Sequence, residues 1–214
     1  MPAASLIGSS VGILQNTLLP NFIFHTSISA PAYALARSTN QVQIKDVIWS
    51  SAQAANAWYA AIGSRLLLGV PLSTALSTIT RPGWLILGGV TLWAARLTYR
   101  VVSRASRTGW EDDKRYEWVK KEPGGWTEAA VLFAMEGLVQ SLVGLPFTAP
   151  FRTSYPVVTS PQDSKGTLEA LAIGLYGAGL GLELLADWQL QSYKDKGGEG
   201  VLDTGVWSIV RHPK

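Results

Sequence analysis

Residues 166–190 read GTLEALAIGLYGAGLGLELLADWQL, and no charged side chain interrupts them between Glu169 and Glu183. A helix that crosses a bilayer needs about 20 mostly apolar residues, because the hydrocarbon core is about 30 Å thick and each helical residue rises 1.5 Å. This stretch meets that requirement until Glu183. Gly174, Gly177, Gly179 and Gly181 lie together within it. The Gly177-x-x-x-Gly181 spacing puts two of them on one face, where small residues let membrane helices approach closely. Glycine is also common in membrane helices generally, and the sequence leaves both readings open.

Working outward, four more stretches qualify or nearly qualify. Residues 11–36 are interrupted by Asn16, Asn21 and His25 and bent by Pro20 and Pro31. Residues 47–79 contain Arg65 and Pro71, and are long enough for one kinked helix or two short hairpinned ones. Residues 84–102 stay apolar until Arg96, and residues 127–145 carry Glu136. The expected fold is all-α, a polytopic membrane helix bundle of about five transmembrane helices, forming one membrane-embedded domain over residues 1–214. Residues 96–121 hold eight of the eighteen basic side chains, whereas residues 147–165 hold only Arg152 and Lys165. The excess of positive charge places the first loop in the cytosol and the second on the far side. Trp84, Trp93, Trp110, Trp126, Trp188 and Trp207 fall near the expected helix ends, as interfacial aromatics do.

Composition narrows the function. Charged residues make up 15%, below the quarter or so usual for soluble domains, while the mean hydropathy is a modest +0.16. With no cysteine there is no disulfide, thiolate nucleophile or sulfur-ligated zinc. His25 and His212 are the only histidines, too few for a histidine-based metal centre, so no metal is expected. A net charge of +3, without basic runs interleaved by aromatics, does not suggest nucleic acid. The expected partners are membrane lipids and a lipid-like small-molecule substrate.

Two polar stripes carry the chemistry. Arg96, Arg100, Arg104 and Arg107 share one helix face, and Glu183, Asp187, Gln191 and Lys194 repeat that spacing at the end of the fifth stretch. Ionisable groups at a membrane helix end must be paired, solvated or turned to a polar cavity. One reading is snorkelling arginines and a solvated terminus. The other is a cytosol-facing pocket in which arginines hold phosphate and acids hold hydroxyl and amide groups. His25, Arg65 and Glu136 lie deeper, each a functional candidate or a structural partner for a neighbouring helix.

The run Glu183-x-x-x-Asp187-x-Gln189-Leu190, then Tyr193-Lys194, Thr204-Gly205-Val206-Trp207 and Arg211-His212-Pro213, resembles the C-terminal signature of the steroid 5-alpha-reductase superfamily. It is most similar to an uncharacterised branch with A-D-x-Q-L and R-H-P motifs. Leu92-Trp93-Ala94-Ala95-Arg96-Leu97 and Asp113-x-Arg115-Tyr116 fit that branch too, so the resemblance runs from about Trp84 to the end of the chain. It implies a membrane reductase that uses NADPH to saturate a carbon–carbon double bond conjugated to a carbonyl, an activity suited to the endoplasmic reticulum. By the same resemblance Glu183, Asp187, Lys194, Gly205, Trp207, Arg211 and His212 line the cofactor site.

Two departures shape the expectation. Steroid-branch reductases carry H-Y-x-x-R where this chain has Leu92-Trp93-Ala94-Ala95-Arg96, and the Trp93 indole donates a hydrogen bond but not a proton near neutral pH. No residue is therefore assigned as catalytic. Lys214 stands where the superfamily has the asparagine of R-H-P-N-Y, so the resemblance implies that the final helices are missing and the chain is weak or inactive as it stands. Two alternatives remain. One is an S-adenosylmethionine-dependent membrane methyltransferase, since such enzymes share R-H-P-x-Y. The other is a non-catalytic membrane scaffold or interaction protein.

Overall fold

Thr80 starts the longest helix of the first half of the chain: its hydroxyl accepts from the Gly83 N–H at 3.4 Å, and Pro82 follows in the first turn, where no N–H is needed. The computed structural model describes residues 12–152 and 162–209, which form helices and turns with no strand among them. In chain order the helices are α1 (Leu19–Thr39), α2 (Ile44–Trp58), α3 (Ser64–Leu67), α4 (Leu72–Ser77), α5 (Arg81–Arg107), α6 (Glu117–Lys121), α7 (Gly125–Val143), α8 (Leu145–Arg152), α9 (Gln162–Asp195) and α10 (Val206–Ile209). A π turn, Leu14–Leu18, leads into α1, and another, Tyr59–Gly63, joins α2 to α3. The chain divides into two compact units, Met1–Pro156 and Val157–Lys214.

In the first unit α1 packs on α7 and α2 packs on α5, with α8 against both π turns. The two pairs are sealed by separate apolar clusters. Ala32, Ala36, Val42, Tyr116, Val119, Ala129 and Phe133 form one, and Ala57, Ala61, Leu87 and Val90 the other. Small side chains dominate because the helices lie close. At Gly137 a Cβ would sit 3.4 Å from Ser29 Oγ and 3.6 Å from Thr26 Oγ1 on α1, so this glycine permits the α1–α7 approach. The stretch 47–79, open between one helix and two, is helical through Leu67 and then stops. Gly69 takes φ +79°, and the Val70 N–H bonds back to the Arg65 carbonyl at 3.0 Å. The short α4 follows Pro71.

The distribution of polarity runs opposite to that of a soluble domain. Val131, Leu132, Met135, Leu138, Val139 and Leu142 stand exposed on α7, while Asn21, His25, Gln53, Asn56, Gln140 and Ser141 are buried. Among the described residues two helices, Arg81–Arg107 and Gly166–Asp195, are long and apolar enough to cross a membrane. There are three if Gly125–Val143 and Leu145–Arg152, bent by 58° at Gly144, count as one broken span. Residues 14–39 and 44–67 are also long helical stretches, with amides and an imidazole turned inward.

The second unit is the long helix α9 with a returning tail. Leu168, Leu171, Leu175, Leu182, Leu184 and Trp188 are exposed along it. Within this unit nothing lies near a Cβ placed on Gly177 or Gly181, so of the two readings left open for that pair a close contact is not made there; Gly137 of the first unit makes one.

Candidate functional site

The final turns of α9 carry the polar stripe, and the tail is clamped beside it. The backbone leaves α9 through Gly197 (φ +76°), whose N–H bonds to the Lys194 carbonyl at 2.9 Å, while the Gly198 N–H reaches the Tyr193 carbonyl at 3.0 Å. The Tyr193 hydroxyl then donates to the Glu199 carbonyl at 2.6 Å. Further along, Gln189 Oε1 accepts from the Val206 N–H at 3.0 Å, and Trp207 Nε1 donates to the Ala186 carbonyl at 3.2 Å. Gly205 sits at φ +65° with its missing Cβ only 2.6 Å from the Gln189 carboxamide. A side chain there would be strained by the backbone and would collide with the clamp.

Ala186, Gln189 and Tyr193 thus form the face that holds the tail. At about 100° per residue, Glu183, Asp187, Gln191 and Lys194 form a second face roughly 120° around the helix. Glu183, Asp187 and Gln191 are half-buried and Lys194 is exposed. Gln191 Nε2 donates to Asp195 Oδ1 at 2.6 Å. The structure therefore brings Glu183, Asp187 and Lys194 to one side of one helix and places Gly205 and Trp207 in the adjoining turn. The Trp207 N–H is committed to the backbone. Arg211 and His212 lie outside the described residues. Gln189 belongs to the motif, but nothing in its spacing marks it as the clamp.

The Asp113-x-Arg115-Tyr116 motif lies in the first unit, where it ties the end of α5 to the start of α2. Asp113 accepts from the Arg115 N–H at 3.0 Å, capping the short 3-10 turn Lys114–Tyr116, and pairs with the Arg115 and Arg104 guanidiniums. That backbone bond first, and the Arg115 guanidinium next, hold its carboxyl down at about 2. The buried Tyr116 hydroxyl donates to both oxygens of Asp46 at 3.0 Å, and burial, then the Asp46 charge, pushes its ionisation up. It is a donor held in its protonated state. Asp112 binds the Val42 and Gln43 N–H groups, each at 2.9 Å, and Lys120 at 2.8 Å. A cleft of about 330 Å³ beside it is lined by Thr39, Asn40, Trp110, Glu111, Asp112 and Lys120. Of the arginine stripe, Arg104 is drawn into this network, while Arg107 ends α5 exposed.

The three deeper residues separate. Glu136 pairs with Lys45 at 3.6 Å, and Lys45 also meets Asp46 at 3.1 Å. Arg65 lines a pocket of about 160 Å³ with Thr78, Thr80, Ile86 and Phe151. His25 is buried with its Nε2 3.2 Å from Asn56 Nδ2. Trp93 stacks edge-on against Trp49, with ring centroids 5.7 Å apart. A polar set missed in the sequence is gathered in the same bundle as His25, which touches it at Asn56: Asn21, Gln53, Asn56, Gln140 and Arg152, contributed by α1, α2, α7 and α8. Its only sequence signals were Asn21 and His25 four apart, and Gln53 and Asn56 three apart, in otherwise apolar helices. Among the described residues no group of three or more histidine, aspartate or glutamate side chains is gathered as a metal site.

Residues 32–214 match a family described as proteins of unknown function, DUF1295. The chain belongs to that family. The match spans the last eight residues of α1 and all of α2 through α10, and so includes both the Asp113-x-Arg115-Tyr116 network and the clamped tail. No curated protein and no solved structure matches the chain.

Proposed function

We propose that the chain is a membrane oxidoreductase-like protein of the kind that uses NADPH to reduce enone- or steroid-like lipids, with the cofactor held at the end of α9. The observation that carries the reading is the shared face of Glu183, Asp187 and Lys194 beside the Gln189-clamped turn at Gly205 and Trp207. An acid there accepts hydrogen bonds from hydroxyl or amide groups, the lysine meets phosphate, and the fixed turn closes one side. The resemblance to the steroid 5-alpha-reductase superfamily assigns the cofactor to these same positions. A polytopic arrangement of about five crossings accompanies the reading, with the basic end that contains Arg104, Arg115 and Lys120 in the cytosol and the endoplasmic reticulum as the membrane. It is supported by five long helical stretches and by the exposed apolar side chains.

The test is saturation-transfer NMR on the purified chain in nanodiscs with NADPH, NADH and S-adenosylmethionine, a readout sensitive to weak binding. NADPH is expected to give signal that Asp187→Ala and Lys194→Ala each remove. One charge-assisted hydrogen bond is worth roughly 1.5–3 kcal/mol, or about one to two decades of affinity. Signal from S-adenosylmethionine in place of NADPH would reassign the chain as a methyltransferase. Signal from neither, in wild type and variants alike, would leave the scaffold reading.

A further inference from the structure

Arg152 ends α8 with a positive charge that no acid among the described residues neutralises. Its Nη1 donates to Asn21 Oδ1 at 2.8 Å and to the Thr17 carbonyl at 3.3 Å, its Nη2 reaches Asn56 Oδ1 at 3.5 Å, and its guanidinium lies 5.8 Å from the centre of the Tyr59 ring. All of these partners are neutral, and no carboxylate among the described residues pairs with it. Asn21 is itself fixed, since its Nδ2 donates to Thr148 Oγ1 at 2.9 Å and to the Ser141 carbonyl at 3.2 Å. Neutral acceptors orient a guanidinium without cancelling its charge. A half-buried cation in a membrane helix bundle is unfavourable until an anion joins it. The three contacts engage three of the five N–H groups, which leaves two of the planar fork for a carboxylate or phosphate.

A second, independent observation points to the same place. The Thr17 hydroxyl is fully buried and has no hydrogen-bond partner, on the residue whose carbonyl already meets Arg152. Buried hydroxyls are seldom left so. Thr17 faces inward with Asn21, while Leu14, one turn before it, is exposed.

We propose that Arg152, with the Thr17 hydroxyl, binds the anionic oxygen group of a membrane amphiphile, a carboxylate or a phosphate, whose hydrocarbon chain leaves past the exposed Leu14. The oxygens meet the free N–H groups of the guanidinium and the threonine donor together. The site lies wholly in the first unit and is independent of the nicotinamide reading.

The experiment follows thermal unfolding of the full chain in dodecyl maltoside by tryptophan fluorescence. It uses dodecyl phosphate, dodecanoate, dodecanol and inorganic phosphate at matched concentrations. Dodecyl phosphate or dodecanoate is expected to raise the midpoint, and dodecanol and inorganic phosphate to leave it unchanged. Arg152→Gln should weaken the response at least about tenfold, the scale of one charge-assisted contact. Arg152→Lys keeps the charge but loses the fork, and Thr17→Val loses the hydroxyl, so both should weaken it severalfold. An equal response to dodecanol, a full response to inorganic phosphate alone, or an undiminished response in Arg152→Gln overturns the proposal. Where Arg152→Gln does not fold, wild-type binding by both Arg152→Lys and Thr17→Val overturns it.

Discussion

Replacing Asp112 by alanine should loosen the first unit more than any other single change in its charged end. Both oxygens of this carboxylate are engaged: Oδ1 holds the Gln43 N–H at 2.9 Å, and Oδ2 holds the Val42 N–H at 2.9 Å and Lys120 at 2.8 Å. Its side chain is only 6% exposed, so water does not replace it readily. Two hydrogen bonds to a charged group are worth about 1.5–3 kcal/mol each, together about 3–6 kcal/mol. The Lys120 pair, with the lysine 30% exposed, adds about 0–1 kcal/mol. At about 2–4 °C per kcal/mol for a chain of this length, Asp112→Ala should lower the midpoint by roughly 6–28 °C. Asp112→Asn keeps one acceptor and should lose about half as much, and Lys120→Ala at most about 1 kcal/mol. Thermal unfolding in detergent measures all three. If Asp112→Ala melts within about 2 °C of Lys120→Ala, the two backbone bonds are not what fixes the corner between α1 and α2.

Asp113 gives a pH prediction. Its carboxyl is held at about 2, below the unfolded value, so its contribution is present above about pH 4 and is lost as pH falls toward 2. Wild type should therefore lose more stability than Asp113→Asn between pH 4 and pH 2, and the two should run parallel between pH 5 and 8. Gly137→Leu should force α1 from α7 at about 1–3 kcal/mol, whereas Ala134→Leu on the exposed face should melt as wild type does; equal melting of the two would show that the approach at Gly137 is not tight. Gln189→Leu should release the Val206 N–H, read as faster hydrogen exchange at residues 205–209 with α9 unchanged, and unaltered exchange would rule out the clamp.

Helix positions were largely legible in the sequence, because charge-free runs and their basic flanks obey one-dimensional rules. The run 84–102 lies inside Arg81–Arg107, and 127–145 coincides closely with Gly125–Val143. The alignment of Glu183, Asp187 and Lys194 on one face also follows from helical spacing alone. What pairs with what did not. Asn21 and Thr148 are 127 residues apart, and no periodicity connects them. Gly177 and Gly137 both sit in apolar helices, and only packing distinguishes the one that admits a neighbouring helix. Gln189 reads as a polar residue at a helix end until the returning backbone at Val206 shows what it accepts.

The bond from Asn21 to Thr148 also has a temporal side. α1 is too polar to be placed among the helices that cross a membrane by composition, yet the partners that satisfy Asn21, namely Ser141, Thr148 and Arg152, emerge from the ribosome 120 to 131 residues later. At about 5–20 residues per second, that is a wait of roughly 6–26 s. During that interval Asn21 and His25 need water, the insertion machinery or a chaperone. Assembly of this bundle is thus tied to the pace of translation, and changes that slow decoding between α1 and α8 will lengthen the exposure of the N-terminal helix.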